Sequence, residues 1–358
     1  MNNLDGALLK DYRPVSELVT PAHRAAKPSC PVIDMHTHFG AKYRNEFFEK
    51  RYSAKTACAQ LRQKGVCRAA DLSIFSGSPY DRKKKKTKRI DHFLYRFAPI
   101  DFSSLGKKDF EQDIRRQFGQ FDREQIFGIK IWKNLTLQMQ VGGAHVFLAD
   151  PRLSVIWEEA AARGWPVTVH AADPPAFFKE PDGSNERMEE LLAMPKWCYA
   201  QDPALSFQGL MEQQERLLQE NKKTVFIIAH MGSWPSNLRQ VGRWMEQYPN
   251  MYVDTAACLS ELGRQPYTSA SFFEKHQDRI LFGTDYFAGE GQCYEIWYRF
   301  LETKDEYFPH NPQNPSWGGR WNIYGIQLGK EVLEKVYYKN AAKILKLGRK
   351  GEWDGAGD

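Results

Sequence analysis

Short apolar runs recur along the chain at spacings that leave room for a helix between most of them. There are eight: PVIDMHTH (31–38), RAADLSIF (68–75), FLYRFAPI (93–100), IFGIKIW (126–132), PVTVHAAD (166–173), TVFIIAHM (224–231), MYVDTAA (251–257) and RILFGTDY (279–286). Most are nearly continuous rather than strictly alternating. That pattern belongs to parallel strands covered by helices on one face and packed inside a sheet or barrel on the other. Segments with a 3.6-residue apolar period lie between them at 53–65, 150–164, 207–222, 236–248 and 269–276. Asp150 followed by Pro151 marks a helix start, and Gly164 with Pro166 marks its end and the next strand. Strand and helix therefore alternate, which predicts an α/β fold, a (β/α)8 TIM barrel closed by eight parallel strands.

The connections after the fifth strand (174–206) and the eighth (287–327) are much longer than usual βα loops. Both are rich in Pro, Gly, Trp and Tyr, which suits ordered lid loops over the C-terminal mouth, with an oligomer contact as the alternative. Residues 1–28 are expected to form an N-terminal arm, 29–347 the single barrel domain, and 348–358 a C-terminal tail.

Composition changes this picture little. Of 358 residues, 42% are hydrophobic and 26% charged, enough apolar material for one large core. The net charge of +6 is concentrated in the run RKKKKTKR at 82–89. That run has no interleaved stacking aromatics, so a solvated loop is expected, with no nucleic-acid partner. Six cysteines without Cys-x-x-Cys spacing read as reduced thiols. No stretch approaches the length of a membrane span, and the first thirty residues lack a continuous apolar segment. A cytoplasmic protein with no membrane partner is the expectation.

Chemistry enters at the strand ends. His36 and His38 are two apart, so a period-2 backbone sends both imidazoles the same way. His170 ends the fifth strand, His230 the sixth and Asp285 the eighth. The C-terminal strand ends are where barrels place catalysis. His36, His38 and His170 can ligate a divalent metal, with Asp285 completing or flanking the sphere. Such a metal lowers the pKa of water to about 7. His230 and Asp285 then remain as proton handlers. Asp34 shares the parity of the two histidines on a regular strand and is expected either behind them or in a structural contact.

The motifs DMHTH (34–38), VHAADP (169–174), IIAHMG (227–232), GTDY (283–286) and YYKNAAKILKL (337–347) together resemble the amidohydrolase superfamily. The resemblance is to the amidohydrolase-2 group related to aminocarboxymuconate-semialdehyde decarboxylase, and it spans roughly residues 31–347. It implies one divalent metal on His36, His38, His170 and Asp285, with His230 activating water. Zinc is the implied ion and manganese the alternative; relatives are commonly dimers, which implies a homodimer. Binuclear relatives carry a carboxylated lysine at the fourth strand. Lys130 sits there, and its inward parity leaves a bridging carbamate, a contact to a substrate anion, or a snorkelling rim lysine open.

Trp132, Trp234, Arg187 and Arg320 are further candidates for contact with a small-molecule substrate. The expected reaction is hydrolysis of an amide, ester or lactone of a small acidic or aromatic substrate by metal-activated water. Nonoxidative decarboxylation of an aromatic or unsaturated acid is the first alternative, and a non-catalytic binding barrel the second.

Overall fold

The computed structural model describes residues 15–39, 54–73, 92–287 and 294–347. The basic run at 82–89 and the tail at 348–358 lie outside the described residues. Nine parallel strands form one curled sheet: β1 (Val32–His38), β2 (Val66–Asp71), β3 (Leu94–Pro99), β4 (Gly128–Ile131), β5 (Val167–Val169), β6 (Phe226–Ile228), β7 (Met251–Asp254), β8 (Ile280–Leu281) and β9 (Tyr286–Phe287). Their order is β8-β7-β6-β5-β4-β3-β2-β1-β9. The two outermost strands come from one stretch of chain. Thr255 N on the β7 side donates to Leu281 O at 3.1 Å, while Met35 N donates to Phe282 O at 2.8 Å and Asp285 N to His36 O at 2.9 Å. Residues 280–287 thus stitch β7 to β1.

Helices fill the connections: α1 (Ala54–Gln63), α2 (Phe110–Phe121), α3 (Ser154–Arg163), α4 (Phe207–Glu220), α5 (Leu238–Gln247), α6 (Pro266–His276) and α7 (Tyr294–Glu302). Local chemistry sets their ends. Asp150 accepts from Arg152 N at 2.9 Å and starts a 3₁₀ turn that leads into α3, and Gly164 closes that helix at φ 61°. Ser206 caps α4 through Gly209 N, at 3.0 Å. α2 and α7 are absent from the periodic segments picked out in the sequence. α2 buries Phe110, Ile114, Phe118 and Phe121, an i, i+4, i+8, i+11 stripe interrupted by charged and polar residues.

Side chains along each strand divide between two apolar regions. Ile129, Ile131, Val167, Val169, Phe226, Ile228, Met251 and Val253 pack against the helices. Ile33, Met35, Tyr95, Phe97, Ile227, Tyr252 and Leu281 pack on one another on the inner face. The alternation places Lys130, Thr168 and Asp254 on that inner side. Gly128 is required beneath them, because a Cβ there would lie 2.4 Å from the Phe97 ring and 2.6 Å from Pro166 O. Gly128→Ala is expected to cost about 1–3 kcal/mol through overpacking. A thermal melt checks this, and an unshifted midpoint would show that the inner face is looser than described.

Residues 15–28 carry no regular secondary structure and are mostly exposed. His23 fastens them: its backbone N and Nδ1 meet the buried Asp305 carboxylate at 2.7 and 2.5 Å. Among the described residues, no helix is long and apolar enough to cross a membrane.

Candidate metal centre

One extra residue in β1 builds the first half of the site. Asp34 pairs with Ala69, but Thr37 pairs with Asp71, so β1 bulges between them. A bulge re-aims side chains. Before it, Ile33 and Met35 face the inner apolar cluster. After it, His36 and His38 face the same interior, and the parity expected for Asp34 is broken. Asp34 instead accepts from Thr284 Oγ1 and Tyr294 OH, both at 2.6 Å, and from His36 N at 3.0 Å. It is a buried tie between β1, the end of β8 and α7.

Two strand ends supply the other half through left-handed backbone. His230 has φ 55° and Asp285 φ 66°. A non-glycine residue held there stores of order 1–3 kcal/mol, and such positions cluster at functional sites. Each is held in place by hydrogen bonds. His230 N donates to Asp254 Oδ1 at 2.9 Å and its Nδ1 lies 2.9 Å from Ala256 O, while Asp285 N is fixed by His36 O.

The donors converge. His38 Nε2 lies 3.0 Å and His36 Nε2 3.4 Å from Asp285 Oδ1. Ligand atoms of His36, His38 and Asp285 all lie within 4.8 Å of one another. His36, His38 and Asp254 are buried, and the Asp285 side chain is 24% exposed. His170 joins this group through His230, whose Nε2 lies 3.1 Å from His170 Nδ1. Its other nitrogen faces Asp173 Oδ1 at 3.4 Å.

Hydrogen-bond accounting tests whether these residues suit a cation. Asp254 Oδ2 takes the hydrogen of His36 Nδ1 at 2.8 Å, which leaves Nε2 with a lone pair, and that buried atom has no hydrogen-bond partner. Burial pushes the His36 pKa down to about 4, so the neutral ring prevails. Likewise, Ala256 O takes the hydrogen of His230 Nδ1, leaving Nε2 bare against His170. Two nitrogens on one tetrahedral zinc, each at about 2.0–2.1 Å, sit roughly 3.3 Å apart. The two nitrogen-to-carboxylate spacings at Asp285, 3.0 Å from His38 and 3.4 Å from His36, are close to that ligand-to-ligand separation, so this donor set fits a divalent ion.

Lys130 rises from β4 with its ammonium buried and without a hydrogen-bond partner. Burial drives its pKa down to about 8, against the opposing pull of Asp254 and Asp285. Its Nζ lies 5.4 Å from the Trp132 ring, and that ring stands edge-on to His38 and His170 at 5.7 and 5.3 Å. The remaining substrate candidates engage other partners. Arg187 is buried between Glu190 and Glu261, with 2.6 Å to the former. Arg320 is largely exposed and holds Glu189 at 2.7 Å. Trp234 packs on Phe207 and Trp244. Among the described residues, none of the three makes a hydrogen bond, ion pair or ring contact with the histidines of the centre. Sequence reasoning missed Asp254 and Asp173. Each had the signal used for Asp285, an acid at or just past the C-terminal end of an apolar run.

A curled parallel sheet with imidazoles and carboxylates at the C-terminal strand ends defines an amidohydrolase-type enzyme. The family profile described as amidohydrolase matches residues 33–347, and the chain belongs to that family. No curated protein matches the sequence. Among solved structures, 2,6-dihydroxybenzoate decarboxylase from Rhizobium is similar at a TM-score of 0.53 and 13% identity, over 89% of this chain and 99% of that one. A dihydroxybenzoic acid decarboxylase from Polaromonas with bound manganese and 2-nitroresorcinol gives 0.53 and 13%, over 91% and 99%. An amidohydrolase from Burkholderia multivorans with bound zinc gives 0.56 and 10%, over 88% and 99%. At these identities the likeness speaks for the fold.

Proposed function

We propose that this chain is a closed (β/α)8 barrel, roofed by the segments 174–206 and 287–327. In this reading it hydrolyses an amide, ester or lactone of a small acidic or aromatic substrate with one divalent metal. The observation that carries the reading is the convergence of His36, His38 and Asp285, with His36 Nε2 buried and bare. His170 completes the set when its Nδ1 is shared with the same ion. Zinc or manganese, each present in a similar solved structure, would supply positive charge that acidifies water and polarises a carbonyl.

The protein groups do the rest. Asp254 holds His36 in the tautomer that offers Nε2. The Asp285 carboxylate, beside the bare nitrogens, accepts a proton from the attacking water. His230 is pinned by Ala256 O with its lone pair on Nε2, so it can orient that water as an acceptor and relay the proton taken up by Asp285 to the leaving group. Lys130 offers unspent positive charge to a substrate anion, and Trp132 offers a flat wall.

Decarboxylation of an aromatic acid is the second reading, favoured by the same unpaired Lys130 and by the named activities of two similar structures. A screen of zinc- or manganese-loaded protein against lactones, esters, amides and hydroxybenzoates separates them. Hydrolysis in any of the first three classes is the expected result. Carbon dioxide released from a hydroxybenzoate without any hydrolysis would replace the first reading with the second. Bound metal with neither activity would leave a binding barrel.

A further inference from the structure

Asp173 lies three residues beyond His170, is buried, and takes no part in the chemistry above. Its carboxylate is claimed from three directions. Lys133 Nζ reaches both oxygens at 2.7 Å, Tyr199 OH donates to Oδ2 at 2.8 Å, and His170 Nε2 faces Oδ1 at 3.4 Å. Lys133 comes from the turn after β4. Tyr199 comes from the far end of the 174–206 segment, where its backbone N also returns to Phe177 O at 2.8 Å. The Lys133 ammonium lies 4.9 Å from the Trp197 ring centre, and Trp197 in turn meets Trp317 edge-on at 5.4 Å. One carboxylate therefore links His170 to the 174–206 segment, which in turn meets the 287–327 segment at Trp317.

A carboxylate only accepts, so the hydrogen that His170 turns towards Asp173 belongs on Nε2. In the neutral ring this leaves Nδ1 as the lone pair, 3.1 Å from the likewise bare His230 Nε2, an opposition of two lone pairs that is relieved when Nδ1 ligates an ion at the centre. Without the carboxylate the two tautomers become comparable and the ring loses its outer anchor.

We infer that Asp173 is a positioning residue: it fixes the tautomer and tilt of His170 so that Nδ1 serves the centre, and it keeps that setting only while Tyr199 and Trp197 are docked. Seating of the 174–206 segment and competence of the metal centre are thereby coupled. The inference rests on the reading of His170 as a ligand.

Cobalt(II) titrated into the full-length chain, followed by visible absorption, tests it. Asp173→Asn is expected to bind cobalt about 10–100-fold more weakly and, at saturation, to show an altered ligand-field spectrum. A purely structural role for Asp173 would leave that saturated spectrum unchanged. Tyr199→Phe spares the ion pair with Lys133 and keeps the core intact. It is expected to weaken cobalt binding several-fold and to speed tryptic cleavage after Lys196. A folded Asp173→Asn protein with wild-type affinity and spectrum overturns the inference. Where that variant does not fold, Tyr199→Phe decides, and wild-type affinity with wild-type cleavage overturns it. Failure of the wild-type chain to bind cobalt at all would instead sink the metal reading, and this inference with it.

Discussion

His230→Asn is expected to lower turnover by about 10²–10⁴-fold while leaving the metal content of the protein unchanged. Asparagine tolerates the left-handed backbone better than most residues, so φ near 55° and the bond from residue 230 N to Asp254 Oδ1 should survive. What disappears is the imidazole. Its Nδ1 is tied to Ala256 O, so Nε2 is the only ring atom free to handle a proton at the centre. Turnover and metal per chain must be measured together on wild type and variant. Turnover lost together with the metal would make His230 a ligand and contradict its assigned role.

The second large effect is expected at a residue that need not touch the ion. Asp254→Asn preserves shape but exchanges one acceptor oxygen for a donating amide. Oδ1 serves two backbone donors, His230 N at 2.9 Å and Ala256 N at 3.2 Å, so the amide nitrogen is forced towards His36 Nδ1. Two donors cannot share that contact. The His36 hydrogen must move to Nε2, which removes the lone pair from the centre. Metal affinity is expected to fall about 10–100-fold. Competition against a chromophoric chelator measures it, and a change smaller than about threefold would mean that His36 is not governed by Asp254.

All eight apolar runs coincide with strands, because burial on both faces leaves a continuous apolar signature. The ends were less legible. RILFGTDY reads as one strand but is β8 and β9 with a left-handed residue, Asp285, between them, a backbone state that aspartate tolerates but that an apolar run does not reveal. The bulge in β1 was hidden for a related reason. Register belongs to a pair of strands, so a period of two within one sequence cannot show where the partner slips, and Asp34 was placed on the wrong parity.

The chemistry divides along the same line. His36, His38 and Asp285 could be picked out because their residue types are rare at strand ends, and the structure brings them together. His170 also stands at the C-terminal end of β5, although its side chain meets His230 and Asp173 rather than the other three. Asp254 carried the same strand-end signal as Asp285, but its role as the partner of His36, 218 residues away, belongs to the fold alone. Arg187 shows the reverse. A loop arginine looked available to an acidic substrate, yet folding places it between two buried carboxylates.

Anomalous diffraction from crystals grown with zinc tests the central claim most directly. The account predicts one strong peak per chain in ligand contact with His36, His38 and Asp285, about 2.0–2.2 Å from their donor atoms. A peak confined to other residues, or no peak while those three side chains hold the positions described, would contradict it.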